Sequence, residues 1–240
     1  MGSLAGQHVI ITSGPTRGYI DAVRYISNKS TGTLGASIAN ELLQCGAFVT
    51  FIYGTGSVLP DITLLDSVCA SRLTLIEIET VQDLLAAIHE KHKNKPCDAI
   101  VHAMAVLDYT PETPQSGKIH SGMDKMVVTF TKTQKVIKLI RKLWPYAFLI
   151  GFKLEVGLSR DALIERAYTS LRENGANLVV ANNQDEVTGD KHLAYLVNSE
   201  KKIASCCKTK QDIARALATA ISDRSKLSKA SLHKQQNQDP

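Results

Sequence analysis

Two patterns of apolar residues alternate along the chain. Short, nearly unbroken runs rich in valine, isoleucine and leucine predict strands at HVIIT (8–12), AFVTFIY (47–53), LTLIEI (73–78), DAIVHAM (98–104), KMVVTF (125–130), AFLIGF (147–152), NLVVAN (177–182) and HLAYLV (192–197). Longer stretches, in which apolar residues return every three or four positions, predict helices near 33–45, 80–93, 134–143, 161–174 and 211–224. Strands that are apolar on both faces need cover on both faces. The alternation therefore predicts an α/β fold of the Rossmann-like, doubly wound kind, a mainly parallel sheet with helices on either side.

Two stretches break the pattern. The segment DYTPETPQSGKIHSGMD (108–124) has prolines and glycines and little to bury, and so long a loop inside a domain is usually functional or disordered. After residue 224 the apolar periodicity stops, so residues 1–224 read as one domain and 225–240 as a disordered tail.

Composition narrows the class. Hydrophobic residues make up 44% of the 240 and charged residues 21%, which excludes a disordered chain. The start, MGSLAGQHVIITSG, lacks a basic segment leading into an apolar core, and no run reaches the length that spans a bilayer. A cytoplasmic protein without membrane contact is expected. The five cysteines form no C-x-x-C pair, which suits reduced thiols and argues against a zinc site or disulfide frame. Part of the net charge of +5 lies in RSKLSKASLHK (224–234), a solvated tail rather than a nucleic-acid surface.

Candidate chemistry gathers where strands end. TSGPTRG (12–18) follows the first strand, where its amides could cradle phosphate or simply make a tight turn around Gly14. In DAVRYISNKSTGTLG (21–35), a polar loop runs into a helix whose start offers free amides and the positive end of a dipole. Ser30 or Thr31 could cap that helix, and capping and packing alone would also explain the residues. HAMAVLDYTP (102–111) leaves a buried strand at the same edge, and Lys118 sits in the long loop between Gly117 and Gly122. A dinucleotide fold wants G-x-G-x-x-G, which Gly14 and Gly18 do not supply, so a nicotinamide-dependent reductase loses ground. A non-catalytic nucleotide-binding or assembly protein is the other alternative.

In their order and spacing, VIITSGPTR, IDAVRYISNKSTGTLG, HAMAVLDYTP, the KI of Lys118, FTKT, LIGFKLE and GANLVVANN resemble the phosphopantothenate–cysteine ligases over residues from about 8 to 200, especially the monofunctional bacterial form. The resemblance implies that Asn28 contacts the acyl-nucleotide intermediate, with Arg24 on the same loop. It implies that Asp108 and the backbone of His102, Ala103 and Met104 contact the nucleotide base, and Gly14 of the first loop is expected in the nucleotide site. Thr133, Gln134, Lys135 and Val136 form a nucleotide-contacting turn, Phe152 packs on the nucleotide, and Ala105, Val106 and Asn182 face the acyl substrate. Lys118 matches the first lysine of the family's K-x-K-K, which here reads Lys118, Ile119, His120, Ser121. Two further lysines of bifunctional relatives align with Ser170 and Asn174, so Lys153 is the candidate replacement charge. The decarboxylase domain that bifunctional relatives carry is not expected.

The implied reaction explains these residue types. The carboxylate of 4′-phosphopantothenate attacks the α-phosphate of CTP (or ATP), pyrophosphate leaves, and the amine of L-cysteine then displaces the nucleotide from the acyl carbon. The product is 4′-phosphopantothenoyl-L-cysteine, an intermediate of coenzyme A biosynthesis. Two anions must approach each other, so cations are needed: Lys118, Arg24 and the Mg²⁺ that accompanies the nucleotide, with no metal ligand expected from the protein itself. Asn28 can donate hydrogen bonds without adding negative charge. The resemblance also implies a homodimer.

Overall fold

The computed structural model describes residues 3–94, 96–122, 124–189 and 191–236. In chain order the elements are β1 (His8–Ser13), β2 (Arg17–Tyr19), β3 (Tyr25–Ser27), α1 (Thr33–Gln44), β4 (Phe48–Gly54), α2 (Ser67–Ala70), β5 (Leu73–Ile78), α3 (Val81–Asn94), β6 (Ala99–His102), β7 (Tyr109–Pro111), β8 (Phe130–Lys132), α4 (Val136–Leu143), β9 (Phe148–Glu155), α5 (Arg160–Asn174), β10 (Leu178–Asn183), β11 (Val187–Thr188), β12 (Lys191–Asn198), β13 (Ile203–Thr209) and α6 (Lys210–Gln236).

Six parallel strands make the centre of the sheet in the order β5-β4-β1-β6-β9-β10. Counted along the chain this is 3-2-1-4-5-6, and the order reverses between β1 and β6. Ligands of doubly wound sheets bind beyond the carboxyl ends of the strands at that reversal. Antiparallel strands finish one edge, with β12 beside β10 and β13 beside β12.

Alternation along each strand divides the core. Val9 and Ile11 of β1 face the layer of α1 and α6, packing with Ile38, Leu42, Leu217 and Ile221. Ile10, one position over, joins Leu84, Ile88, Ile140 and Leu163 from α3, α4 and α5 on the other face. Each of the fully buried leucines and isoleucines contributes about 1.5–3 kcal/mol by leaving water. Both faces are covered, as the unbroken apolar strands required.

Polar groups fix where α4 stands. Arg141, in its last turn, donates to the carbonyls of Gly175, Trp144, Pro145 and Ala147 and to Asn177 Oδ1. That guanidinium ties the C-terminal end of α4 to the entries of β9 and β10, and so sets where its N-terminal end points.

Three expectations change. No strand runs over 125–130; β8 begins only at Phe130, and Val127, 91% exposed, has nothing to pack against. An apolar run without a partner surface does not make a strand. The last helix does not stop at 224 but continues to Gln236, because SKLSKASLHKQQ contains neither glycine nor proline to end it; residues 237–240 lie outside the described residues. β13 and the short ribbons β2–β3 and β7–β8 are additional to the expected strands.

Candidate functional site

The carboxyl ends of β1 and β6 are bonded to each other past the sheet. Ala103 N donates to Thr12 O, Ala105 N to Gly14 O and Thr16 N to Ala105 O, so 14–16 and 103–105 run side by side. Gly14 has φ +77, and a Cβ there would lie 1.8 Å from Ser57 Oγ. A Cβ on Gly35 would lie 2.1 Å from Ser13 Oγ. These glycines allow the turn and let α1 close onto β1, the packing half of what glycines do in such loops. The N-cap position of α1 is Gly32, in the left-handed region and without a side chain; Thr31, one residue before it, accepts at 3.4 Å from the N–H of Thr33 in the first turn, and Ser30 makes no such bond.

A cavity of about 220 Å³ opens on the other side of this edge, where β6, β9 and the start of α4 meet. It is lined by His102, Val106, Asp108, Thr133, Gln134, Lys135, Val136, Ile137, Phe152, Lys153, Leu154, Ser170 and Asn174. Eight of the residues expected to touch nucleotide stand here together: His102, Asp108, Thr133, Gln134, Lys135, Val136, Phe152 and Lys153. Gly14, Ala103, Met104 and Lys118 do not line it. Met104 is buried in the core on the α3, α4 and α5 side, and Ala103 packs partly against the core on the α1 and α6 side. The helix start that lines this cavity is that of α4: its N-cap, Lys135, adds an ammonium group to the free amides there and makes no side-chain cap bond.

The cavity wall is ordered by a few bonds. Thr133 Oγ1 donates to Leu107 O at 2.6 Å and its N–H to Asp108 O at 2.9 Å, clamping the turn onto the strand extension. Lys135 Nζ lies 2.9 Å from Asp108 Oδ1 and Lys153 Nζ 3.1 Å from Glu155 Oε1. His102 is buried, and its Nδ1 lies 2.7 Å from Thr12 Oγ1. Burial, with a smaller push from the Lys135 charge, lowers its pKa to about 4, so the ring is neutral at physiological pH. A larger cavity, about 490 Å³, adjoins at Thr133 and Gln134 and extends between β2, β7 and α3. The smaller one holds the end of β6 at His102 and eight of the residues that the resemblance implies, so it is the candidate site.

The acyl-side residues are held differently. Asn28 Nδ2 donates to Ala105 O and Val106 O, both at 3.2 Å. Both amide hydrogens are thus engaged with the backbone, and donation to an acyl or phosphate oxygen requires releasing one of these bonds. Arg24 Nη1 pairs with Asp21 Oδ2 at 2.8 Å, and both Nη atoms reach Ile119 O. Asp21 also accepts from Val23 N, Arg24 N and Ile119 N. Burial opposes the charge on Asp21, but those N–H groups and Arg24 outweigh it and hold the carboxyl below its usual range. Asp21 therefore fastens the Asn28 loop to the Lys118 loop. Lys118 itself is exposed, between the anchored Gly117 and Ile119. Asn182, also expected to face substrate, is buried at the end of β10 and does not line the cavity.

Asp21 and Thr12 were not singled out from the sequence. Asp21 had a signal: an aspartate whose carboxylate accepts from the N–H groups two and three residues on is a turn device, and D-A-V-R permits it. Thr12 had none, because a strand threonine facing a histidine ninety residues away is a product of register alone.

Comparison with known proteins agrees with this fold. The family model for the DNA/pantothenate metabolism flavoprotein C-terminal domain matches residues 4–224. The coenzyme A biosynthesis bifunctional protein CoaBC of Thermococcus kodakarensis is 37% identical over 217 residues, 90% of this chain and 51% of that protein. The chain spans about half the length of the curated relatives it matches. The crystal structure of the DNA/pantothenate metabolism flavoprotein from Streptococcus pneumoniae is 32% identical and superposes with a TM-score of 0.80, covering 91% of this chain and 99% of that one. The crystal structure of a C-terminal domain of CoaBC is 26% identical, with a TM-score of 0.73 and 92% and 97% covered. The chain belongs to the DNA/pantothenate metabolism flavoprotein C-terminal domain family.

Proposed function

We propose that the chain is a phosphopantothenate–cysteine ligase, joining 4′-phosphopantothenate to L-cysteine through an acyl-nucleotide intermediate in coenzyme A biosynthesis. One observation carries this reading: Val106 lines the nucleotide cavity while its carbonyl accepts from Asn28. The loop assigned to the acyl group and the cavity assigned to the nucleotide thus share one residue, as an acyl-nucleotide bond between them demands. The kinship with CoaBC supports the same reaction.

In this reading the α4 start, Lys135 and Lys153 orient the triphosphate, and Lys118 swings in to offset charge as the carboxylate attacks the α-phosphorus. Cysteine's amine then attacks the acyl carbon, nucleoside monophosphate departs, and the ammonium proton passes to solvent or base. Mg²⁺ arrives with CTP as part of the co-substrate, with Asp108 the one carboxylate lining the cavity among the described residues. CTP is preferred to ATP. A second copy would cover Tyr25, Tyr109, Val127 and Phe130, exposed apolar side chains around the two ribbons, which supports a homodimer. The five free thiols suit work in the cytoplasm, and among the described residues no helix is long and apolar enough to cross a membrane.

The test is direct: protein, 4′-phosphopantothenate, L-cysteine and Mg²⁺ are incubated with CTP or with ATP, and the amide is measured by mass spectrometry. Amide formation faster with CTP is expected. Absence of amide with both nucleotides refutes the ligase.

A further inference from the structure

His102 has one ring nitrogen accounted for and one not. Nδ1 lies 2.7 Å from Thr12 Oγ1. Thr12 is fully buried, and among the described residues its hydroxyl has no other hydrogen-bond partner, so its proton has one acceptor, Nδ1. A hydroxyl that donates to Nδ1 leaves the proton of the neutral ring on Nε2. Nε2 has no partner among the described residues and is not sealed from solvent, and His102 lines the 220 Å³ cavity. The pair thus leaves the second ring nitrogen of His102 available at a cavity whose other polar groups include the ammonium groups of Lys135 and Lys153 and the carboxylate of Asp108.

We infer that the His102 side chain, held in its Nε2–H form by Thr12, is a nucleotide-binding group that donates a hydrogen bond to an acceptor atom of the bound nucleoside triphosphate, with Thr12 the positioning residue behind it. This assigns to the side chain a role beyond the backbone contact expected from resemblance, and it rests on the proposed nucleotide site. A neutral donor discriminates by geometry rather than by charge, which the lysines already supply. A base carbonyl or ring nitrogen and a phosphate oxygen are both acceptors of the required kind.

Calorimetric titration with CTP, CMP and inorganic tripolyphosphate tests the inference on wild type, His102→Ala, His102→Gln, Thr12→Val and Thr12→Ser. Affinity for CTP is expected to fall about tenfold in His102→Ala, the effect of one lost hydrogen bond, and to recover in His102→Gln, whose Nε2 replaces the ring donor. Thr12→Val loses a few-fold and Thr12→Ser restores it. A loss shared by tripolyphosphate assigns the bond to phosphate; a loss shared by CMP alone assigns it to the nucleoside. The ¹⁵N shifts of the ring in wild type are expected to show Nε2–H, with mixed forms in Thr12→Val, a signature that mere packing of Thr12 would not produce.

A wild-type ring protonated on Nδ1 overturns the inference without any variant. Undiminished CTP affinity in folded His102→Ala overturns it while leaving the nucleotide site standing. Failure of wild type to bind CTP or ATP overturns the site and the inference together.

Discussion

The cavity proposed for the nucleotide and the loops proposed for the acyl group meet at Val106 but are held by different forces. The cavity is made of strand ends and a helix start, backed by Val136, Ile137 and Ile140 in the core and fixed at the far end of α4 by Arg141. The loops carrying Arg24, Asn28 and Lys118 have little apolar backing and are joined through Asp21 and two bonds from Asn28. The cavity is thus pre-formed, while the loops are a polar assembly that a single substitution can loosen. That division suits a reaction in which one substrate docks on a frame and the other must be enclosed.

The sharpest way to break the comparison is Asn28→Asp. It replaces two donors with a carboxylate facing two carbonyls, and kcat/KM is expected to fall on the order of 10²–10³-fold with little change in melting temperature. Native turnover by the purified variant would remove Asn28 from the site. Next comes Asp21→Asn, which turns a donor toward Arg24 and Ile119 N. It is expected to speed hydrogen exchange at 117–120 and lower turnover about tenfold or more, with nucleotide affinity unchanged. A loss of nucleotide affinity instead would mean the halves are not separate. Lys118→Gln should slow pyrophosphate release in a single turnover, whereas Lys153→Gln should raise the KM for nucleotide several-fold and leave kcat near native.

The smallest effect is on stability against pH. Burial, aided by Lys135 and Lys210 respectively, lowers the pKa of His102 and of His192 to about 4 from an ordinary 6.5. Between those values the unfolded chain binds more protons, so the stability due to the neutral rings is complete above about pH 6.5 and lost as pH falls toward 4. For His102 the slope is at most roughly 1.4 kcal/mol per pH unit. Thermal melts from pH 7.5 to 4.5 are expected to show this decline, reduced in His192→Gln. A melting temperature flat across that range would contradict neutral burial of both rings.

Much of the frame was legible because apolar periodicity reports burial directly: LTLIEI became β5 residue for residue, and HVIIT became β1 with one residue added. KMVVTF misled for the same reason, since its apolar residues have no surface to cover. β13 was overlooked although Ile203, Ser205 and Cys207 alternate inward after a tight turn at 198–201, where Lys201 takes φ +60. Its small and charged residues hide the period. In the site, eight residues named by the resemblance line one cavity, but the partners that hold them did not follow from it. The Thr12–His102 and Asp21–Ile119 contacts span about ninety residues or more and exist only once the register does.

The most direct test of the central claim omits cysteine. Protein in excess over CTP is mixed with 4′-phosphopantothenate and Mg²⁺ and quenched on the millisecond-to-second scale. The predicted result is a burst of pyrophosphate matched by an acyl-cytidylate, which added cysteine converts to amide and CMP. Release of CDP and phosphate, or no cleavage of CTP until cysteine is present, would contradict an acyl-nucleotide intermediate held between the Asn28 loop and the cavity.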